Sequence, residues 1–132
     1  MTTNTGMSIF NKYTDEEKNV KFKKHFIKNV FWDDSKGVNI SLGYENADDV
    51  NVFIPKNQND MKGYVAPKQY KGMANTWTLE NGDFIVKGET DETEVLNFKE
   101  LSSKYDNVFK ITLVDDKDFG SKNMHHFEIR GK

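Results

Sequence analysis

The sequence of 132 residues contains no cysteine and only two prolines. Without cysteine, neither a disulfide framework nor a thiolate metal site can form, and no thiol nucleophile exists. No apolar run approaches the ~18 residues of a membrane-spanning helix, and the first residues lack the basic and apolar regions of a signal peptide. The sequence therefore predicts a protein made and used in the cytoplasm without membrane partners, stabilised by packing and assembly.

An excess of positive charge is also absent, since the formal net charge is −2. This excludes a generic DNA-coating protein but allows a local basic patch. Ten phenylalanines, five tyrosines and two tryptophans argue against disorder, although 30% of the residues are charged. The length fits one domain, residues 1–132, with a modest core.

Alternation of apolar and polar residues with a period of two is the strongest pattern, and it is typical of half-buried strands. In 20–32, the apolar residues occupy positions 20, 22, 26, 30 and 32, which predicts one long strand or two joined at a bulge. A turn-rich stretch at 33–37 then leads to alternation over 38–44, which predicts a hairpin. Further strands are predicted at Val50–Ile54, Asp83–Lys87, Glu94–Phe98, Val108–Val114 and Met124–Arg130.

Only Phe98, Leu101 and Tyr105 fall at helical spacing, which predicts one short helix around Lys99–Lys104. Seven or eight short strands with turn signals between them predict a mainly β fold, a small antiparallel barrel or sandwich. The residues predicted to be buried occupy the apolar phase of separate strands. They are Trp32, Val38, Ile40, Phe84, Ile111 and Phe127.

The stretch from Pro55 to Thr76 breaks the strand pattern and predicts a long loop. It holds four lysines and one aspartate in an otherwise acidic chain, together with four large apolar residues that an exposed loop need not carry unless something covers them. Two interpretations stay open, a mobile surface loop or an arm that contacts a partner. The candidate partner or oligomer contacts are Lys56, Met61, Lys62, Tyr64, Lys68, Tyr70, Lys71 and Met73.

Catalytic and metal constellations are not apparent in the sequence. His125 and His126 are adjacent in a predicted strand, so their side chains point to opposite faces, and one buried and one exposed residue is the expected arrangement. Twelve positions counted from Asp115 or Asp116 do not end on the glutamate of a calcium loop. The acidic cluster at 91–94 predicts a charged hairpin edge. The sequence therefore predicts no enzymatic activity, no cofactor and no metal.

A nucleic-acid surface is a second possibility for 21–31, where four lysines alternate with phenylalanines. Lysines 21, 23, 24 and 28 beside Phe22, Phe26 and Phe31 resemble the stacking face of an OB-type module. The alternation favours another interpretation, in which core phenylalanines are flanked by exposed lysines.

Several segments together resemble an uncharacterised family of small proteins from phage and prophage structural cassettes of low-GC Gram-positive bacteria. The matching segments are 9–13, 30–32, 64–70, 77–88, 111–116, 119–121 and 124–131. The run with Gly82-Asp83 and the later Ile111-Thr-Leu-Val-Asp115 is also similar to the closing half of stopper-type head–tail joining proteins of phages. In those proteins a small β-barrel carries one long loop, and copies ring the DNA channel.

The resemblance implies a virion structural protein at the head–tail junction, assembled in the host cytoplasm as a homo-oligomeric ring, a hexamer or dodecamer. Its implied partners are portal or adaptor proteins, tail terminator or tail tube proteins, and packaged DNA contacted non-specifically. Alternatives that stay open are a tail terminator or other tail-completion protein, an OB-like module binding single-stranded nucleic acid or a ligand, and an accessory or inhibitor protein of a mobile element.

Overall fold

The computed structural model describes residues 3–34, 50–118, 120–121 and 124–132. Within them, seven antiparallel strands form one sheet, and a single α-helix of five residues lies between the fifth and sixth strands. In chain order the elements are β1 (Thr5–Thr14), β2 (Val20–Asp33), β3 (Val50–Pro55), β4 (Phe84–Lys87), β5 (Glu94–Val95), α1 (Phe98–Ser102), β6 (Val108–Lys117) and β7 (His126–Gly131). The predicted mainly β fold with one short helix and one long loop is confirmed.

The sheet closes on itself. Its strand order is β1-β4-β6-β7-β3-β2-β5, and β1 also pairs with β2, so six strands form a ring and β5 lies outside it on the edge of β2. The β1–β2 pairing is the longest and contains an irregularity, because two steps on β1 from Thr5 to Met7 oppose three steps on β2 from Ile27 to Val30. This bulge shifts the inward phase of β2. Ile27 is therefore buried and Phe26 only half-buried, where the alternation predicted Phe26 on the buried face.

Strand β1 is covered on both faces. Every residue from Met7 to Asn11 is fully buried, with Met7 and Ile9 on one side of the sheet and Phe10 on the other. A strand buried on both faces shows no alternation of apolar and polar residues. The sequence pattern for this reason does not predict β1, although it predicts the other ring strands to within a few residues.

Two clusters of buried side chains lie on the two sides of the sheet. The main core, inside the ring, comprises Met7, Ile9, Ile27, Val30, Trp32, Val50, Val52, Ile54, Trp77, Leu79, Ile85, Phe109, Ile111, Phe127 and Ile129. The second core comprises Phe10, Phe22, Phe84, Val86, Val95 and Leu101. Helix α1 covers the second core with Leu101, and the Asn97 side chain caps it by accepting a hydrogen bond from Glu100 N–H at 2.9 Å.

The burial predictions can be compared with this arrangement. Trp32, Phe84, Ile111 and Phe127 are buried, as predicted. Val38 and Ile40, with the strand predicted at 38–44 and the turn leading into it, lie outside the described residues. The strand predicted at Glu94–Phe98 is shorter than expected, because α1 begins at Phe98 and only Glu94–Val95 pair with β2.

Candidate functional site

The long connection from Pro55 to Thr76 joins β3 to β4 and contains two single turns of 3₁₀-helix, Lys56–Gln58 and Pro67–Gln69. A short parallel bridge links Tyr64 to Trp77. In it, Val65 N–H donates to the Trp77 carbonyl, and Trp77 N–H donates to the Gly63 carbonyl, both at 2.9 Å. The connection therefore folds back on itself before it enters β4.

Three of the four large apolar residues in this connection pack into the chain's own core. Met61 and Tyr64 lie against the main core, and the Tyr64 ring is 5.0 Å from that of Phe127. Tyr70 is buried, and this burial, with Asp83 nearby, raises its pKa to about 12. Met73 alone among the four is largely exposed, at 67%. Met61, Tyr64 and Tyr70 therefore pack the long connection against the rest of the chain.

The four lysines of the connection also divide into two kinds. Lys56 forms ion pairs with Asp116 and Asp118 and lies 4.5 Å from the centre of the Phe127 ring. The other three lysines are exposed. The contact set stays a prediction, and four of its members have side chains that reach the surface without an internal role. These are Lys62, Lys68, Lys71 and Met73.

The two adjacent histidines are both half-buried, so the expectation of one buried and one exposed residue is wrong. The reason is that β7 begins only at His126, and His125 precedes the strand. His125 Nδ1 is 3.7 Å from Asp118, and His126 Nδ1 is 2.9 Å from the Met124 carbonyl. Among the residues that the structure describes, no group of three acidic, histidine or cysteine side chains is arranged to hold a metal ion.

The lysines around 21–24 have partners within the chain. Lys21 pairs with Asp15 at 3.1 Å, while Lys23 and Lys24 donate to backbone carbonyls in the connections after β3 and β4. Phe22 is buried and stacks on Phe84 with ring centres 4.1 Å apart. This arrangement fits core phenylalanines flanked by lysines better than a surface on which bases stack.

A cleft of about 650 Å³ lies between the middle of β2 and the long connection. Its lining is unusually rich in amides. The lining residues are His25, Phe26, Ile27, Lys28, Asn29, Asn57, Gln58, Asn59, Asp60, Gly63, Asn75 and Trp77. The His25 imidazole stacks on the Trp77 indole, with ring centres 4.8 Å apart and planes 5° apart, and burial lowers the pKa of His25. The cleft is thus a polar depression with a stacked aromatic pair in its lining.

At one end of the cleft, the Asn59 side chain takes the place of a strand neighbour. The register of β2 and β3 pairs Phe31 with Phe53, so Pro55 falls opposite Asn29. Proline has no N–H to donate to the ladder. The Asn59 amide supplies the missing bonds: Oδ1 accepts from Asn29 N–H at 3.0 Å, and Nδ2 donates to the Asn29 and Pro55 carbonyls at 2.7 and 2.9 Å.

At the other end of the cleft, β5 covers the same edge of β2. Lys24 N–H donates to the Thr93 carbonyl at 2.9 Å. Backbone groups alternate in direction along a strand, so the N–H and C=O of Phe26 also point away from β1 and toward this edge. No described residue pairs with them. A gap therefore remains along β2, between Lys24 and Asn29.

The Trp77 indole contributes a further unpaired group. Its Nε1 is buried and has no hydrogen-bond partner among the described residues. A Cβ built at Gly63 would lie 3.3 Å from Trp77 Cδ1, the ring atom bonded to Nε1, so this edge of the indole faces the wall of the cleft formed by Gly63. The pattern of residues does not predict this cleft, and the one local signal for it is the run of amides at 57–59.

The described helices include none that is both long and apolar enough to cross a membrane. No curated protein matches the chain, and no solved structure matches it. One family model, described as a family of unknown function (DUF6751), matches residues 1–132. The match spans the whole sequence, and the chain therefore belongs to the DUF6751 family.

Proposed function

We propose that this protein is a non-enzymatic structural component of a bacteriophage or phage-like particle, where copies form a ring at the head–tail junction. The resemblance of its sequence segments to stopper-type joining proteins suggests this role. A small closed sheet that carries one long connection between β3 and β4 is compatible with it. The role implies no catalytic residues, and its partners are the portal or adaptor and tail proteins that adjoin the ring.

The observation that carries the proposal is the opposite sign of the exposed charges on two segments of one chain, the long connection and the end of β6. The long connection exposes Lys62, Lys68 and Lys71, whereas the end of β6 exposes Asp115, whose ion pair is with Lys117 of the same strand and not with the connection. A ring needs a contact between two different surfaces of neighbouring copies, which closes after a fixed number of rotations. Opposite charges on the two surfaces favour such a head-to-tail contact over self-pairing of either surface.

The test measures the mass of the native assembly, for the chain alone and mixed with the structural proteins encoded beside it. The variant Lys68→Glu with Lys71→Glu reverses the charge of the connection while leaving Met61, Tyr64 and Tyr70 in place. The control variant, Lys87→Glu with Lys99→Glu, makes the same charge change at exposed lysines on β4 and α1. We expect the first variant to lose the ring and the control to keep it.

Rescue separates a direct contact from a general effect of charge. Adding Asp115→Lys to the loop variant restores complementary signs, so the ring should form again at low salt. Asp115 is suited to this change because its ion pair with Lys117, at 3.5 Å, is exposed, and the change leaves the Lys56 ion pairs in place. A chain that stays monomeric with every neighbouring protein, or a loop variant that assembles normally, would refute the proposed ring.

A further inference from the structure

Between Lys24 and Asn29, one edge of β2 has no neighbouring strand among the described residues. The alternation of backbone groups along β2 places the N–H and C=O of Phe26 on the edge that lines the cleft. On either side the edge is occupied, at Lys24 by the Thr93 carbonyl and at Asn29 by the Asn59 amide. The vacancy is bounded at both ends. A strand rises about 3.3 Å per residue, so the gap has room for a segment of about four residues.

The groups around the vacancy match the chemistry of a peptide. A residue of an added antiparallel strand exchanges two hydrogen bonds with the residue opposite, and Phe26 offers one donor and one acceptor in that arrangement. The buried Trp77 Nε1, without a partner among the described residues, lies beside Gly63 in the lining of the same cleft, where it reports on a segment bound there. Lys28 and Asp60 both line the cleft, and their opposite charges sum to zero.

We propose that this cleft binds an extended peptide segment of a partner protein, which adds to the sheet as a short strand beside Phe26. Unpaired backbone groups at a sheet edge favour this class of ligand over a sugar, because a sugar hydroxyl does not reproduce the paired donor and acceptor of a peptide unit. The site lies within one chain, and the proposal does not rest on the particle role proposed above.

The probe is an acetylated and amidated heptapeptide of alternating valine and threonine, titrated into the isotopically labelled protein and followed by NMR. The Trp77 indole N–H resonance should shift, because Trp77 lines the cleft that the peptide enters. The Trp32 indole is the internal reference, because its Nε1 is also buried without a described partner but lies outside the cleft. The Ile27 and Asn59 amides, which flank the gap, should shift with Trp77.

Two protein variants isolate the backbone contact. Phe26→Pro removes the N–H that faces the gap, at a position where proline leaves the pairing with β1 intact. Phe26→Ala removes the side chain but keeps the N–H. We expect binding by the proline variant to be about tenfold weaker than binding by the alanine variant, the effect of losing one hydrogen bond. Equal affinities of two folded variants would overturn the proposal.

A modified peptide tests the backbone contact without changing the protein. The heptapeptide N-methylated at every residue has no N–H to donate to a strand edge, so it should leave the Trp77 resonance unchanged. Equal shifts with the methylated and unmethylated peptides, or no shift at millimolar peptide, would overturn the proposal. A Trp77 shift produced by maltohexaose but not by the peptide would instead indicate a sugar site. None of these outcomes depends on whether the chain forms a ring.

Discussion

The side-chain amide of Asn59 holds the backbone of Asn29 in the way that a residue of an adjacent strand would. Asn59 Oδ1 accepts a hydrogen bond from Asn29 N–H, and Asn59 Nδ2 donates to the Asn29 carbonyl. Nδ2 also donates to the Pro55 carbonyl. A proline at the end of β3 is compatible with continued pairing of β2 only because this amide replaces the missing N–H. The structure of the cleft therefore depends on one side chain.

Replacing Asn59 with alanine should lower the free energy of unfolding by about 1–3 kcal/mol, because partly buried backbone groups of Asn29 and Pro55 lose their partner. Asn57→Ala is the matched control, since Asn57 also lines the cleft but is exposed. Its effect should stay within about 0.5 kcal/mol. Urea denaturation of both variants measures the difference, and equal midpoints would contradict the role assigned to Asn59.

Gly72 and Gly82 both have positive φ angles, of 76° and 94°, but only Gly72 is crowded. A Cβ at Gly72 would lie 2.5 Å from Tyr13 Cδ2, whereas nothing lies within 4 Å of one at Gly82. Gly82→Ala should therefore cost about 1–2 kcal/mol from backbone strain alone. Gly72→Ala should cost a further 1–3 kcal/mol or so, because the Tyr13 ring must move. Thermal unfolding compares the two, and a smaller loss at Gly72 would be inconsistent with the packing of the connection on β1.

Phe127 links the ring to the long connection, since it is buried in the main core and contacts Tyr64. Phe127→Ala should lower the free energy of unfolding by about 3–5 kcal/mol through the cavity it leaves. Leu96→Ala serves as the control, because Leu96 is 60% exposed and its truncation should be nearly neutral. Chemical denaturation with two similar midpoints would show that the burial of Phe127 is misassigned.

Asp83 is a buried carboxyl that ties β1 to the start of β4. Its Oδ2 accepts from Asn11 Nδ2 at 2.8 Å, and its Oδ1 accepts from Lys12 N–H at 3.0 Å. Burial raises its pKa from 3.8 to about 6, although these hydrogen bonds act in the opposite direction. The folded state therefore binds a proton more tightly than the unfolded state does.

The sign of the pH dependence follows from this raised pKa. The contribution of Asp83 to stability is fully present below about pH 3.8 and is lost as the pH rises through about 6. Two pKa units correspond to roughly 3 kcal/mol over that interval. Asp83→Asn should be less stable than the parent at pH 4, and the gap should narrow by pH 7. A gap that stays constant across this range would show that Asp83 titrates normally.

The sequence pattern predicted the parts of the fold that have one polar and one apolar face. β2, β3, β6 and β7 show alternation because one side of each faces solvent for much of its length. β1 was missed because both of its faces are covered, and the exchange of phase at Phe26 and Ile27 was missed because a bulge depends on the partner strand. Local sequence does not contain either fact.

The sequence pattern predicted less of the candidate site than of the fold. The long connection was predicted at 55–76, but the packing of Tyr64 depends on the rings of Trp77 and of Phe127, which lies far away along the chain. The cleft arises where Asn59 meets Asn29, thirty positions away along the chain. The alternation of apolar and polar residues does not predict this contact between Asn59 and Asn29. The contact follows from the register of β2 and β3, which places Pro55 opposite Asn29.

The position of β7 sets an order on the folding of this chain. β7 lies between β3 and β6, and Gly131 pairs with both Val50 and Ile111, so the ring cannot close until these last residues are available. A nascent chain that ends before them exposes the unpaired edges of β3 and β6 together with the open main core. Long-range strand pairing of this kind is slow and leaves edges open to aggregation. During synthesis, the antiparallel pair β1–β2 is the largest part of the sheet that can form early.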